Sequence, residues 1–337
     1  METYHKYKQT CVYCGMIKRW IARNLMLGRE TGQAFPLGEH IQAPSSNSGT
    51  DSFYFYLRNQ DGLTMVCRLA LRFNGFCEYW FGLSMPDQPT LVLEGIAPVA
   101  SMDSPNIKGL AFIPDDSGDW SIAVDFPEFA LKGCLCFSPT SLVLDFGSLR
   151  DKNQIADALA SMPWNAASFK ALKSMKTEHI EQAGVWSGEL TWKGVDYSIE
   201  GVGARDHSRG ERNWQNWSSH CWFTGFNEHG KGFNLSLIDF KGLPTLRAGY
   251  ICDSKLGAVC LVDGPNFPIS QASGEFVLAG HGDQHSQTIR FATQGFFEFT
   301  MDSTYRIEEG FGFFDWKGER YFGILERGFA LNHKHVF

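Results

Sequence analysis

The 337-residue chain is long enough for two domains of ordinary size or for one large all-β domain. Its formal net charge of −7 comes from interspersed charges without a basic stripe, which argues against nucleic acid as a partner. No window reaches the roughly 18 apolar residues that a membrane-spanning helix needs, so we expect no integral membrane segment. The 28 phenylalanines and 35 glycines favour strands and tight turns, and a hydrophobic small molecule suits this composition as the partner.

Residues 1–34 form an N-terminal extension in which apolar residues alternate with lysines and arginines. Without the uninterrupted apolar stretch of a secretory signal, we expect a cytoplasmic protein with reduced cysteines. Cys11 and Cys14 are the only pair at zinc-ligand spacing, and no second pair follows, so we expect no metal site. The near-helical spacing of apolar residues predicts one short helix over 16–27.

Residues 35–150 form the first predicted β domain. Short apolar or alternating runs are separated there by turn residues such as Asn74-Gly75. Strands separated by turns at this spacing are typical of a sandwich or a barrel. The runs predict strands over 52–59, 64–73, 76–84, 90–96, 110–113, 120–126, 133–137 and 141–145.

Residues 151–183 interrupt this rhythm. Asp151 can cap a run with helical apolar spacing, which Pro163 interrupts. The segment therefore predicts a helical connector between two β domains. After Pro163 the helical spacing resumes at Phe169, Leu172 and Met175.

Strands return in residues 184–337, the second predicted β domain. The chain has no Walker-type phosphate loop, and the pair Gly310 and Gly312 lacks a strand–loop–helix context, so we expect no nucleotide cofactor. It also lacks the Gly-x-Ser-x-Gly elbow of many hydrolases. The predicted strands are 184–192, 195–202, 221–227, 231–240, 246–252, 258–262, 275–278, 287–293, 296–300, 305–316 and 320–328.

The densest ionisable chemistry begins at Gly201, where the sequence reads Gly-Val-Gly-Ala-Arg-Asp-His-Ser-Arg-Gly-Glu-Arg-Asn-Trp. Three arginines, two acids and a histidine stand there directly before Trp214, Trp217 and Trp222. A solvated loop rarely carries three tryptophans, and a core rarely carries five charges. We therefore expect this segment to line a partly buried pocket.

This block, with the segments 305–310 and 323–328 near the end, resembles the two-domain lipocalin-like superfamily. That group includes carotenoid 1,2-hydratases (hydroxyneurosporene synthases), tocopherol cyclases, kievitone hydratases and lipocalin-like Diels–Alderases. The resemblance covers roughly residues 50–330 and implies an all-β fold of two lipocalin-like antiparallel barrel or sandwich domains joined by a helical connector. Arg209 stands where the family usually has a tryptophan, so we expect a ligand with an oxygen or a carboxylate rather than a polyene hydrocarbon.

The resemblance also implies an enzyme that needs no cofactor and acts on an apolar natural-product or isoprenoid-like molecule. Its reaction would be an acid- or base-assisted cyclisation, including the Diels–Alder type, an isomerisation or a hydration. Asp206 and His207 are the candidate acid–base pair, and Arg205 would orient them. The candidate ligand-binding residues are Arg209, Arg212, Trp214, Trp217, Trp222, Trp80, Tyr54, Glu78 and Glu309.

Several alternatives remain open at this point. The protein could carry a hydrophobic molecule without changing it, the molecule could come from a membrane, and the chain could act as a homodimer. Arg205, Asp206 and Arg212 could instead form a buried ion-pair network that fixes a turn, with His207 donating to a backbone carbonyl. Glu309 and Glu326, which lie near glycines in predicted strands, also fit exposed carboxylates on a strand surface.

Overall fold

The structure is a computed structural model that describes residues 15–26, 41–100, 104–145, 152–161, 164, 177–212, 214–241, 245–253, 257–263, 273–280, 287–301 and 303–331. Within these residues the chain is mainly antiparallel β structure with little helix, which confirms the expected all-β, two-domain lipocalin-like fold. The expected zinc-spaced pair, Cys11 and Cys14, lies outside the described residues. None of the described helices is long and apolar enough to cross a membrane.

The helices and strands have the following bounds. Helix α1 covers residues 15–21 and continues as a π-helical turn over Ala22–Met26, and helix α2 covers Lys152–Ser161. The described strands are β1 (Gly49–Asn59), β2 (Thr64–Leu71), β3 (Phe76–Ser84), β4 (Leu91–Pro98), β5 (Asn106–Ile107), β6 (Leu110–Pro114), β7 (Trp120–Phe126), β8 (Leu131–Pro139), β9 (Leu144–Asp145), β10 (Thr177–Trp192), β11 (Val195–Glu211), β12 (Trp217–Phe226), β13 (Gly232–Phe240), β14 (Leu246–Asp253), β15 (Gly257–Asp263), β16 (Ser273–Gly280), β17 (Gln287–Met301), β18 (Tyr305–Trp316) and β19 (Glu319–Ala330).

Strands β1–β11 form the first sheet, in the order β4-β3-β2-β1-β11-β10-β8-β7-β6-β5, with β9 paired to β10. Its inner face is an apolar core. Phe55 of β1 packs edge-on against Phe112 at 4.9 Å between ring centroids, and it also contacts Trp120 and Phe137. Aromatic rings from strands far apart in the sheet meet in this core, so the sheet curls around it.

Strands β12–β19 follow in chain order and form a closed barrel. Its interior holds a second aromatic core, in which Phe223 contacts Phe291 at 5.6 Å and Phe314 at 6.3 Å between ring centroids. Because side chains alternate along a strand, the neighbours of Phe223 on β12 point out of the barrel. The outward-facing positions include His220, Trp222 and Thr224, which are nevertheless buried.

A third core lies between the outer faces of the first sheet and the barrel. In this layer Trp80 of β3 stacks on Phe299 of β17 at 4.7 Å, with the two rings only 7° from parallel. On β1, Tyr54 and Tyr56 face this layer, whereas their neighbour Phe55 faces the first core. One strand therefore contributes to two different cores.

The change from the first sheet to the barrel comes later than expected. We expected a helical connector over 151–183 and the second β domain from residue 184, but strands β10 and β11 pair within the first sheet and extend to Glu211. The charged stretch 205–211 continues β11 because its side chains find partners on both faces of the sheet. Phe169, Leu172 and Met175, which we expected to be helical, lie outside the described residues.

Gly203 lies where β11 approaches β1 most closely, and a Cβ added there would lie 1.9 Å from the Tyr56 carbonyl oxygen. We expect Gly203→Ala to lower the free energy of unfolding by about 1–3 kcal/mol, because the backbone must shift. Gly15→Ala is the matched control, since its Cβ meets nothing within 4 Å. Urea unfolding followed by tryptophan fluorescence measures both, and an unchanged midpoint for Gly203→Ala would contradict the close approach.

Candidate functional site

The Arg-Asp-His-Ser block lies within strand β11 rather than in a loop. His207 is paired in register with Phe53, and Asp206 with Tyr54, so the two side chains point to opposite faces of the sheet. His207 faces the first core, whereas Asp206 faces the barrel. The structure therefore does not bring them together as an acid–base pair for one ligand.

His207 is fully buried and packs as a structural residue. Its ring stacks on Phe53 at 3.9 Å between centroids, and its Nε2 lies 2.7 Å from Oδ1 of the equally buried Asp51. Arg209 Nε donates to the same oxygen at 3.1 Å. Burial by itself would raise the pKa of Asp51, but His207, the Gln42 N–H and Arg209 together hold that pKa below its usual value. One partner of the His207 ring is therefore a buried carboxylate.

Arg205 and Arg209, two further sequence candidates, share the His207 side of β11. Arg205 Nε donates to Gln182 Oε1 at 2.8 Å, and its guanidinium lies 5.4 Å from the centre of the Trp120 ring. Because both arginines turn away from the barrel, the arginine that replaces the family's tryptophan does not face the layer between the sheets.

We expect His207→Ala to lower the free energy of unfolding by roughly 3 kcal/mol, because it removes one partner from the buried Asp51 carboxylate. His229→Ala is the control, since that histidine is exposed in a turn. Chemical denaturation at neutral pH measures both variants. If both unfold at the wild-type midpoint, the structural role of His207 is wrong.

Eight of the nine predicted ligand-binding residues lie in the layer between the first sheet and the barrel, which we call the inter-sheet layer. It comprises the barrel-facing side chains of β1, β2, β3, β10 and β11, together with the facing side chains of the barrel and of the β11–β12 link. The eight residues are Tyr54, Glu78, Trp80, Arg212, Trp214, Trp217, Trp222 and Glu309.

Glu181 of β10 ties the first sheet to the barrel. Its carboxylate, 1% exposed, accepts hydrogen bonds from Asn234 Nδ2 at 2.8 and 2.9 Å and from Trp222 Nε1 at 3.1 Å. The Tyr250 hydroxyl donates to its other oxygen. All three donors belong to the barrel. Sequence reasoning missed Glu181, although His179-x-Glu181 places two ionisable groups on one face of a strand.

His179 lies between two carboxylates. Its Nε2 is 3.0 Å from Glu181 Oε1 and also contacts Asp206 Oδ2. Burial by itself would lower the pKa of His179, but Asp206 and then Glu181 raise it to about 9. Burial would likewise raise the pKa of Asp206, but the charge and hydrogen bond of His179 lower it. The arrangement is a buried imidazolium held by two carboxylates.

The same three side chains are a metal-ligating set, because their ligand atoms all lie within 4.8 Å of one another. Imidazole with two carboxylates suits zinc or manganese. Glu181, however, already accepts hydrogen bonds from three barrel donors, and the imidazolium of His179 satisfies both carboxylates. A proton on His179 therefore balances the charge of these carboxylates where a metal ion would otherwise do so.

The pKa of His179 is about 9 in the folded state and 6.5 for an ordinary histidine, so the stability depends on pH. The folded state binds the proton more tightly, so this contribution is complete below pH 6.5 and is lost as the pH rises through 9. We expect the free energy of unfolding to fall by on the order of 3 kcal/mol over this window in the wild type and to be nearly flat in His179→Gln. Urea titrations at a series of pH values check this, and parallel curves for the two proteins would contradict it.

A second set of buried groups forms a continuous chain in the same layer, which we call the carboxyl–histidine chain: Tyr305, His220, Glu326, Glu309 and Tyr54. The Tyr305 hydroxyl lies 2.7 Å from His220 Nδ1, and His220 Nε2 contacts Glu326 Oε1. Glu326 is hydrogen-bonded to Glu309, its cross-strand neighbour. The Tyr54 hydroxyl donates to Glu309 Oε2 at 3.3 Å.

The two carboxyl groups of this chain differ in protonation. Burial and then the charge of Glu326 raise the pKa of Glu309 well above its usual value. Burial acts on Glu326 in the same direction, but the charge and hydrogen bond of His220 lower its pKa. Glu309 is therefore a neutral acid beside an ionised Glu326, since two adjacent buried carboxyls do not both ionise. The expectation that both are exposed strand carboxylates is wrong for Glu309, which is fully buried.

Several buried polar atoms of the inter-sheet layer lack a hydrogen-bond partner. Native proteins satisfy nearly all such atoms, so each of these calls for an explanation. Among the described residues, the layer contains Arg68 Nη1, Glu78 Oε2, Trp214 Nε1, Trp217 Nε1 and Glu309 Oε1.

A cavity of about 370 Å³ opens where the β2–β3 turn, the segment before β1 and the β11–β12 link meet. Arg212 and Glu78 belong to its wall. The Arg212 guanidinium lies 5.8 Å from the centre of the Trp214 ring, and Trp214 in turn stacks on Tyr305 at 5.2 Å. The cavity wall thus leads directly to one end of the carboxyl–histidine chain.

Sequence reasoning missed His220 and Tyr305. The sequence does contain a pattern that points to His220. The positions His220, Trp222 and Thr224 alternate with the apolar Cys221 and Phe223. Such alternation puts the polar groups on the side of a strand opposite to its apolar core.

Residues 36–317 match the model of a family described as a domain of unknown function, DUF7064. No curated protein sequence matches the chain. An AttH-like protein from Nitrosomonas europaea, 11% identical, has a TM-score of 0.64 over 90% of this chain and 98% of its own. CghA with Sch210972, 8% identical, has a TM-score of 0.58 over 86% and 90% of the two chains. A second structure of CghA, 9% identical, has a TM-score of 0.54 over 87% and 95%. These similarities show a shared lipocalin-like fold.

Proposed function

Because the chain belongs to the DUF7064 family and its inter-sheet layer holds a buried carboxylic acid beside a carboxylate, we propose that it is a cofactor-independent enzyme. It would cyclise, isomerise or hydrate an apolar natural-product or isoprenoid-like molecule by acid–base catalysis. The structure of CghA with Sch210972 supports the proposal by analogy, since a protein of this fold holds a small molecule.

The observation that carries the proposal is the pair formed by Glu309 and Glu326. Burial and Glu326 raise the pKa of Glu309 well above its usual value, so Glu309 is the proton donor of the pair, and a substrate atom that replaces Glu326 in this hydrogen bond receives the proton. Glu326 is ionised and can accept a proton. Two carboxyl groups whose pKa values are driven apart by their surroundings are the usual basis for separate acid and base roles.

Glu309 and Glu326 together supply and take back every proton that such a reaction moves. Glu309 donates its proton to an oxygen or an unsaturated carbon of the substrate, and Glu326 removes a proton from another carbon or from an added water. The hydrogen bond between the two carboxyls then returns the proton from Glu326 to Glu309. Each cycle ends with both groups as they began, and His220 holds Glu326 in place throughout.

The aromatic residues supply the binding surface in this proposal. Trp214 and Trp217 lie 5.0 Å apart between ring centroids, and both contact the Tyr305 ring. Their faces stabilise positive charge that develops on a protonated substrate, and their surface excludes water. Asp206 and His207 take positioning roles, because Asp206 holds His179 and His207 holds Asp51.

We expect Glu309→Gln to lose conversion by at least about 100-fold, the smallest effect typical of a lost general acid. Glutamine keeps the size and the neutrality of the protonated acid, so the fold should survive, which thermal melting checks. Glu200→Gln, at an exposed position of β11, is the matched control. The assay follows an apolar extract of the host cells by mass spectrometry, seeking a compound that the wild type converts to an isomer or to a product heavier by one water.

The outcomes separate the two functions that the sequence left open. A compound that the wild type binds and returns unchanged would support a carrier. Conversion by Glu309→Gln at the wild-type rate would refute the acid role of Glu309. Loss of conversion in Glu309→Gln, with wild-type conversion in Glu200→Gln, is the result that the proposal requires.

A further inference from the structure

The cavity at the end of the first sheet has a polar wall. Its lining includes the guanidinium groups of Arg72 and Arg212 and one carboxylate, Glu78. Arg72 Nη2 donates to Glu78 Oε1 at 2.5 Å, and Arg212 Nη2 donates to the Ser208 hydroxyl at 2.7 Å. Among the side chains that line the cavity, two guanidinium groups thus stand beside one carboxylate.

A buried arginine lies behind this wall. Arg68, 3% exposed, donates through Nε to the Ser52 hydroxyl at 2.9 Å. Its Nη1 lies 3.7 Å from Glu78 Oε2, and neither atom has a hydrogen-bond partner. Burying a guanidinium without full hydrogen bonding is unfavourable. Arg68 therefore adds a positive charge behind the cavity wall, and one donor of its guanidinium is not used.

The mouth of the same cavity is apolar. Phe73, Phe76 and Ile96 line it and are 47%, 46% and 69% exposed. Three large exposed apolar side chains around one opening are typical of a binding surface, whereas single ones are ordinary. The volume of about 370 Å³ also falls in the range of small-molecule pockets.

We propose that this cavity binds an amphipathic carboxylic acid, whose carboxylate pairs with Arg72 and Arg212 and whose apolar body packs on Phe73, Phe76 and Ile96. The inference rests on the proposed function, because it names the substrate class of that enzyme. The two lining guanidinium groups favour an anion, and Glu78 opposes a doubly charged group such as a phosphate monoester. Arg212 places the carboxylate end beside Trp214, and hence beside the carboxyl–histidine chain.

Isothermal titration calorimetry with decanoate, decan-1-ol and decyl phosphate tests whether the cavity prefers an amphipathic carboxylic acid. The measurement needs no conversion of the ligand. We expect wild type to bind decanoate at least tenfold more tightly than decan-1-ol, and more tightly than decyl phosphate. Arg72→Met should lose the preference for decanoate and keep its affinity for decan-1-ol. Arg320→Met, at an exposed site on the barrel, is the control that should behave as wild type.

Equal affinity of the wild type for decanoate and decan-1-ol would overturn the proposal, and so would tighter binding of decyl phosphate. Phe76→Ser should weaken both decanoate and decan-1-ol by the same factor, and unchanged binding in that variant would overturn the apolar half of the site. Near-ultraviolet circular dichroism confirms that each variant is folded.

Conversion by Glu309→Gln and the decanoate preference of the wild type are measured separately, and together they distinguish the two proposals. If Glu309→Gln has lost conversion while the wild type shows no preference for decanoate, the enzyme proposal stands and the carboxylate inference is overturned. If the preference is present and Glu309→Gln converts substrate as wild type does, the acid role falls and the binding site stands.

Discussion

The hydrogen bonds of the buried Glu181 carboxylate fix how the first sheet and the barrel face each other. A carboxylate without water is stable only where donors replace the lost hydration, and three of these donors come from β12, β13 and β14 of the barrel. A slip of one residue in either surface would turn a donor or Glu181 itself to the other face. The same alignment brings Tyr54 to Glu309 and Trp80 onto Phe299. The link between Tyr54 and the rest of the carboxyl–histidine chain therefore depends on the same alignment as the contacts of Glu181.

Strand β11 shows how one charged motif serves two environments. The odd-numbered positions, such as His207, complete the first core through Asp51, and the even-numbered Asp206 enters the inter-sheet layer through His179. The strands of the first half follow from their alternating runs and turn residues. The face on which each charge lies depends on the register with β1 and β10, which the local sequence does not specify. The role of Glu326 depends on register in the same way, because its partner Glu309 is a cross-strand neighbour on β18.

The pair of Glu309 and Glu326 is the strongest argument that the inter-sheet layer has a functional role and does not only stabilise the fold. Two apolar side chains would fill the same space without desolvating a charge, and buried ionic groups are often no more stabilising than such replacements. Residues that break the rules of core packing in this way occur where a protein handles a ligand or a proton. Similarity to CghA at 8% identity establishes only the backbone, so this local departure must carry the chemical argument.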